Sequence, residues 1–498
     1  MFKPRKPGQG LAVALLIGTA LVPLMPASQA ADKALLDVLL ENGVITRPQY
    51  ERLLDKESLT SADILAPAAD AETPAATATP VEVEDLGRYG LTPQAEAAIS
   101  EAVERELDSQ WPVEVSHGDE GFRFATRDEN WELNLQSRGQ FRYTNPTRSD
   151  PRQLEDFEDL ENSNLELRRL RIKIGGHGYQ PWLKYYFEID LQPTRDVDDD
   201  ELDGGARVID WRIDIARWDG IGMRLGQWKI DYNRERVDSS GRQQFVERSI
   251  VNRPFTIDRQ VGVQLRGRLF EGTPADLRYF AGIYNGEGRG TFNESEEYLL
   301  SGRLQWNFFG RDLAMRQTDV EFTEKPTGTL AFAGATTRGA CTRWSTAGCG
   351  NLDGFLPPGR AEDDQYDIEQ WVQEFAFKYR GLSIQQEYHR KDIDDRVLGI
   401  SNELTGYYAQ AGYFFHHLLP VVPRPLELAV RYAYLEEPNA ENRLFDNERE
   451  EFTLAANWFI AGHNNKLTFD YSYLTLDDGL VGRDASESRI RLQWDVSF

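Results

Sequence analysis

From Trp131 to Phe498 the chain repeats one pattern: apolar and polar side chains alternate for a stretch, turn residues interrupt, and the alternation resumes. The last stretch shows it plainly, with Ile490, Leu492, Trp494, Val496 and Phe498 on one face and Arg491, Gln493, Asp495 and Ser497 on the other. A period of two belongs to a strand with one apolar and one polar face. The same pattern recurs in Leu426, Leu428, Val430, Tyr432 and Tyr434, in Phe452, Leu454, Ala456, Trp458 and Ile460, and in Leu467, Phe469, Tyr471 and Tyr473. A soluble sandwich is the competing architecture, but its strands usually run shorter and do not so often crowd aromatic residues at their ends. Composition agrees: 41 Gly, 25 Phe, 20 Tyr and 11 Trp against 4 Met and 2 Cys suit many half-exposed strands rather than a packed helical core. With a mean hydropathy of -0.56 and one long apolar run, at the N-terminus, a bundle of membrane helices is excluded.

Segments of this kind fall near 130–143, 164–178, 181–192, 207–218, 220–231, 258–271, 274–285, 299–309, 313–333, 368–380, 381–391, 404–416, 425–435, 450–461, 464–476 and 487–498, which is sixteen, an even number. The connections alternate in length: long after the first segment, then Gly178 to Pro181; long again, then Asp219-Gly220; long once more, then Gly272-Thr273-Pro274. The expected fold is an all-β transmembrane barrel of about sixteen antiparallel strands, with short turns and both termini on the periplasmic side.

Ahead of the barrel, Lys3, Arg5 and Lys6 precede an apolar run from Leu11 to Met25 that breaks at Pro26 and closes with Ala27-Ser28-Gln29-Ala30. That is the pattern of a signal peptide over residues 1–30, so the mature chain is expected to be exported. Residues 31–57 give two short helical patterns meeting at Asn42-Gly43, a periplasmic helical hairpin. Residues 58–129 are expected to be a linker carrying a helix over 92–107, its first part rich in Ala, Pro, Thr, Asp and Glu, and the barrel to span 130–498. Cys341 and Cys349, eight positions apart in an exported chain with no His nearby, are expected to close a loop disulfide.

Charge divides by face. The whole chain carries -26, from 82 acidic and 56 basic residues, which repels nucleic acid. In the second segment Leu170, Ile172 and Ile174 share one face, so Arg169, Arg171 and Lys173 share the other. With the apolar face against lipid, those cations line the bore, and the same reasoning places Arg138, Arg142, Lys184, Arg212, Arg224, Arg266, Arg268, Arg278, Arg303, Lys378, Arg380, Arg431, Lys466 and Arg491 inside as well; Lys229 is counted with the ladder on the anion path. Inward acids are fewer: Glu132, Glu188, Asp190, Asp210, Asp214, Glu374, Glu387, Glu427, Asp470 and Asp495. Acidic runs at Asp150 to Glu161 and Asp196 to Asp203 are expected to be solvated outer loops near lipopolysaccharide, and neither matches a known calcium loop.

Several blocks resemble the phosphate-selective porins O and P of Gram-negative outer membranes: LRRLRIKIGGHGYQPWLKYYFEIDL (Leu167 to Leu191), RLGQWKIDYNRERVDSSGRQQFVERSIVNRPF (Arg224 to Phe255), DRQVGVQLRGRL (Asp258 to Leu269) and the terminal Phe498. LLDVLLENGVITRPQYERLL near the N-terminus is similar to that family's leader region. The resemblance implies a homotrimer of sixteen-stranded barrels whose third loop folds inward, with basic residues along an anion path. It implies that Arg234, Arg236, Ser239, Ser240, Arg242, Arg248 and Arg253 belong to that constriction, and that Phe498 is the signal read by the barrel assembly machinery. An outer arginine-rich loop bound to lipopolysaccharide phosphates is the other reading of Arg234 to Arg253.

The expected function is a passive outer-membrane channel for small anions, inorganic phosphate or a related oxyanion, without cofactor or metal. A barrel enzyme would need a Ser/His pair with a carboxylate, and no GxSxG or HExxH block organises His117, His177, His389, His416, His417 or His463. A structural outer-membrane tether and a weakly selective general porin are the alternatives. A tether has no use for a basic bore.

Overall fold

The computed structural model describes residues 113–146, 150–158, 163–191, 206–295 and 297–498, with the single positions Leu40 and Arg47. The expected signal peptide, helical hairpin and helix 92–107 lie outside the described residues, as does the acidic run at Asp196 to Asp203.

The strands are β1 Val113–Gly118, β2 Gly121–Thr126, β3 Glu132–Asn145, β4 Asn164–Gly178, β5 Gln180–Asp190, β6 Arg207–Trp218, β7 Ile221–Lys229, β8 Arg259–Leu269, β9 Leu277–Tyr284, β10 Leu299–Trp306, β11 Thr327–Gly339, β12 Arg343–Ser345, β13 Gly348–Gly350, β14 Tyr366–Tyr379, β15 Leu382–Asp395, β16 Ile400–Tyr413, β17 Leu426–Pro438, β18 Asp446–Ala461, β19 Asn465–Asp478 and β20 Arg483–Ser497. Sixteen of them, β3 to β11 and β14 to β20, form a closed antiparallel barrel. β20 returns to β3 in register from Ile490 opposite Asn145 to Ser497 opposite Arg138. Phe498 then exchanges two backbone hydrogen bonds of 3.0 Å with Ser137, so the last residue completes the seam. Closure leaves no unpaired edge in the wall, which is what lets a sheet stand in lipid.

Burial is inverted relative to a soluble protein. On β17, Leu428, Val430 and Tyr432 are exposed, while Ala429 and Arg431 between them are buried. The outer faces carry aromatic residues near both ends of the strands, among them Trp131, Trp306, Trp458 and Trp494 at one end and Tyr143, Tyr407, Tyr432 and Tyr473 toward the other. This is the girdle arrangement of an outer-membrane barrel.

Two expectations about the connections are corrected. Residues 313–333 do not form one strand: 307–326 is a connection between β10 and β11, and the strand starts at Thr327. Val320 and Phe322 imitate strand alternation, but Pro326 cannot donate to a ladder, and the polar groups before it find partners inside the barrel. The alternation of lengths also ends halfway round. Turns 396–399 and 479–482, at one end, are short, whereas 307–326 and 414–425, at the end where β3 starts and Phe498 lies, are long. The span 58–129, expected to be linker, contains the β1–β2 hairpin. Its second strand pairs with the start of β3, from Phe122 opposite Leu135 to Ala125 opposite Glu132.

Cys341 and Cys349 are joined as a disulfide across the small β12–β13 ribbon in the outer connection between β11 and β14. Closing so small a ring constrains the unfolded chain by about 3 kcal/mol at most. Replacing both cysteines by Ser should therefore leave single-channel conductance at its wild-type value and lower unfolding stability by no more than that amount. A changed conductance would show that the ribbon touches the conducting path.

Candidate anion path

The segment from Ile230 to Asp258, between β7 and β8, lies inside the barrel. One side of it is apolar: Ile230, Tyr232, Ile250, Val251, Phe255 and Ile257 form a single cluster with Ile368, Val372, Leu404, Tyr408, Ala433, Leu435 and Leu474. Those partners lie on the inward faces of β14 to β17 and β19, where alternation alone would place polar residues. The wall is dressed to receive the loop. Gly412 on β16 allows the closest approach, since a Cβ there would lie 1.9 Å from the Gln244 amide nitrogen.

Carboxylates fasten the same side. Arg234 N–H donates to Glu374 at 2.9 Å, Glu235 N–H to Glu387 at 2.6 Å, Val246 N–H to Asp470 at 3.0 Å and Ile250 N–H to Glu451 at 3.0 Å. Glu427 accepts from the Gln244 side chain at 2.7 Å. Each satisfies a donor that would otherwise be buried without a partner. Four of the ten inward acids named from the sequence, Glu374, Glu387, Glu427 and Asp470, thus hold the loop. From the end where β3 starts and Phe498 lies, connection 307–326 braces it too: Gln317 accepts from Gln244 N–H at 2.7 Å and donates to Gln243 at 2.9 Å, while its own N–H donates to Asp238 at 3.2 Å.

With the loop held against β14 to β19, the open space lies on the other side, against β3 to β8. A cavity of about 700 Å³ is lined there by the cations Arg171, Lys173, Lys184, Arg212, Lys229, Arg242 and Arg259 and by the carboxylates Glu120, Glu132, Glu188, Asp210 and Asp214. Most of the arginines are neutralised. Arg171 bridges Glu188 at 3.0 Å and Asp190 at 3.2 Å, Arg212 meets Asp214 at 3.4 Å, and Arg259 meets Asp210 at 2.9 Å. Arg224, outside this lining, pairs with Asp214 at 2.5 Å and Asp231 at 3.7 Å. Lys229 donates to three loop carbonyls, those of Arg236, Val237 and Asp238, at 3.0 to 3.2 Å. Lys173 donates to Gln136 at 3.0 Å. Among the described residues, Lys173, Lys184 and Arg242 make no ion pair with a carboxylate. Lys229 also lacks a carboxylate partner there but spends its donors on the three loop carbonyls, so the other three are the cations left to meet an anion.

The loop residues divide in the same way. Ser239, Ser240 and Arg242 line the cavity, and Arg138 donates to the two hydroxyls at 3.1 and 2.7 Å. A serine oxygen that accepts from a guanidinium keeps its own proton to donate onward. Gly241 gives Arg138 its room, because a Cβ there would lie 2.6 Å from the guanidinium. Arg234, Arg236, Arg248 and Arg253, expected at the constriction, face elsewhere. Arg234 donates to the carbonyls of Leu313 and Ala314, Arg236 to Asp258 and Thr346, Arg248 to the carbonyls of Glu235 and Asp238, and Arg253 to Asp353. Arg248 satisfies carbonyls that the irregular loop leaves open, while Arg234, Arg236 and Arg253 tie the loop to connection 307–326, to Asp258 and Thr346, and to Asp353.

Nearer the outer rim, Arg142 and Arg169 meet Arg168, which strict alternation would have turned toward lipid. A bulge explains it: Gln140 opposes Arg169 while Phe141 opposes Leu167, so Arg168 is the extra residue and its side chain joins its neighbour's in the bore. Burial pushes the carboxyl of Glu235 in the loop up to about 7 against the pull of Arg431. For Glu247 burial is outweighed by Arg169, Arg142 and Arg168, which hold it well below the usual carboxylate range.

A closed sixteen-stranded barrel with a long segment folded into its bore is the architecture of a porin. The model of the family described as phosphate-selective porin O and P matches residues 141–498, and the chain belongs to that family. An uncharacterized protein of Aquifex aeolicus (strain VF5) is 23% identical over 268 residues, covering 52% of this chain and 60% of that relative's length. Among solved structures, a loop L8 deletion mutant of OmpT, an outer membrane protein of Vibrio cholerae, is similar at a TM-score of 0.47 and 10% identity, covering 74% of this chain and 99% of that one. An anion-selective porin from Comamonas acidovorans is similar at a TM-score of 0.45 and 12% identity, over 74% and 99% of the two chains.

Proposed function

We propose that this barrel is a passive outer-membrane channel for small anions, phosphate or a related oxyanion, working as a homotrimer without cofactor. The observation that carries the reading is the cavity between loop and wall, where Lys173, Lys184 and Arg242, with no carboxylate partner among the described residues, share the lining with the hydroxyls of Ser239 and Ser240. Ammonium, guanidinium and hydroxyl donors replace the water an oxyanion sheds on entering a narrow passage. Several moderate sites, rather than one deep one, let an anion leave as well as enter. No group-transfer step is required. Three of the five cavity carboxylates, Glu188, Asp214 and Asp210, position Arg171, Arg212 and Arg259, and together the five limit how tightly an anion is held.

The test is a purified full-length channel in a planar bilayer. In a KCl gradient the reversal potential should take the sign of a chloride-preferring pore, and added inorganic phosphate should block the chloride current. Cation preference, or chloride current indifferent to phosphate, would refute the reading.

A further inference from the structure

On the outer half of the bore, three guanidiniums converge on a single atom. Arg142, Arg168 and Arg169 donate to Oε1 of Glu247 at 2.8, 3.2 and 3.0 Å, and no described donor lies on its Oε2. Glu166 adds only longer contacts, 3.8 Å to Arg142 and 3.9 Å to Arg168. The cluster is reached by water: the side chain of Arg168 is 35% exposed and that of Glu247 is 20% exposed. Three charge-assisted donors on one oxygen form the coordination an oxyanion would take, and here a side chain of the loop supplies the oxygen.

The main chain on either side of Glu247 is held without its carboxylate. Val246 N–H donates to Asp470 at 3.0 Å, the Val246 carbonyl accepts from Arg142 at 3.1 Å, and the Glu247 carbonyl accepts from Arg431 at 3.0 Å. Two residues on, Ser249 N–H donates to Glu235 at 2.7 Å. The side chain can therefore swing away while the loop stays in place, and the flexible glutamate stem permits it.

We propose that Arg142, Arg168 and Arg169 are an anion-binding site kept filled by the chain's own Glu247 carboxylate, and that an entering oxyanion takes the site by displacing it. The inference rests on the reading of the bore as an anion path and names a site in that path. A resident carboxylate lowers the apparent affinity by the fraction of time the site is empty, so anions are admitted without being trapped.

The experiment compares the full-length wild type with Glu247→Gln, using inorganic phosphate and acetate as probes in two measurements: block of chloride current, and binding to the detergent-solubilised protein by calorimetry. Glu247→Gln should bind phosphate about tenfold more tightly and lower the half-blocking concentration to match. Acetate, a carboxylate like the one removed, should compete in the variant at concentrations that leave the wild type unaffected. A folded Glu247→Gln protein with wild-type phosphate affinity overturns the proposal. If that variant fails to fold, Glu247→Asp, which withdraws the carboxylate by one methylene, should shift affinity in the same direction, and an unchanged value is equally fatal. Cation preference of the wild type in the bilayer together with tighter phosphate binding by Glu247→Gln would sink the transport reading and leave this site standing.

Discussion

Lys173→Glu combined with Arg242→Glu will convert the channel from anion to cation preference, seen as a change of sign of the reversal potential in a KCl gradient. Both side chains line the cavity, one from the wall and one from the loop, and neither has a carboxylate partner among the described residues. At an effective dielectric of about 20, a unit charge about 6 Å from a permeating ion interacts at roughly 3 kcal/mol before screening. Reversing two such charges is worth orders of magnitude in relative permeability even after salt screening. The barrel should survive, because no buried ion pair is broken and Glu188, which stands opposite position 173, keeps its Arg171 partner. Arg171 is the contrasting case: it lies between Glu188 and Asp190, so Arg171→Glu would crowd three carboxylates and damage folding before permeation could be read. A double variant that folds and keeps chloride preference would mean that anions pass elsewhere.

The barrel was legible because its determinant is local: a period of two, repeated, with turn residues between. Strand limits follow from it to within a few residues over most of the wall, and they fail at 313–333, where Val320 and Phe322 imitate alternation in a segment whose partners are the distant residues Asp238, Gln243 and Gln244. Which charges matter was less legible. The phase rule places Arg169, Arg171 and Lys173 on one face but does not reveal that Arg171 is neutralised and Lys173 is not: each stands opposite an acid of β5, Asp190 and Glu188, and it is the turn of Glu188 toward Arg171 and of Lys173 toward Gln136 that separates them. A bulge is one residue in fifteen, and it hid Arg168. Phase alone counts the inward acids of β14, β15, β17 and β19 among the charges of the bore, whereas the structure has them accepting donors of the loop. One sign of that arrangement is present in the sequence. Val372, Leu404, Tyr408, Leu435 and Leu474 are apolar at positions whose phase points inward, and an apolar residue facing a bore needs something apolar to cover it. The cover is the Ile250, Val251 and Phe255 stretch of the very segment whose arginines drew attention to it.

Leu170→Lys with Ile172→Lys should abolish assembly, whereas the same strand tolerates charge on its other face. β4 runs fifteen residues from Asn164 to Gly178, so these two positions sit near its middle, opposite Gly139 and Ser137 of β3. The phase that sends Arg171 and Lys173 to the bore sends Leu170 and Ile172 to lipid. A lysine on the lipid face at mid-depth costs roughly 2 to 4 kcal/mol, falling toward zero near either interface. Two of them cost enough to remove most of the roughly 5 to 15 kcal/mol by which folded proteins are stable. Protein extracted from cells should then lack the heat-modifiable folded band and be missing from the outer-membrane fraction. Lys173→Gln, one residue further along β4 and facing the bore, should assemble at wild-type levels, because it exchanges one polar group for another beside Gln136. The pair of variants separates face from position. If the lysine double variant assembles normally while Lys173→Gln does not, β4 presents the opposite face to lipid. Its basic residues would then have to be sought on the outside of the barrel, and the anion path with them.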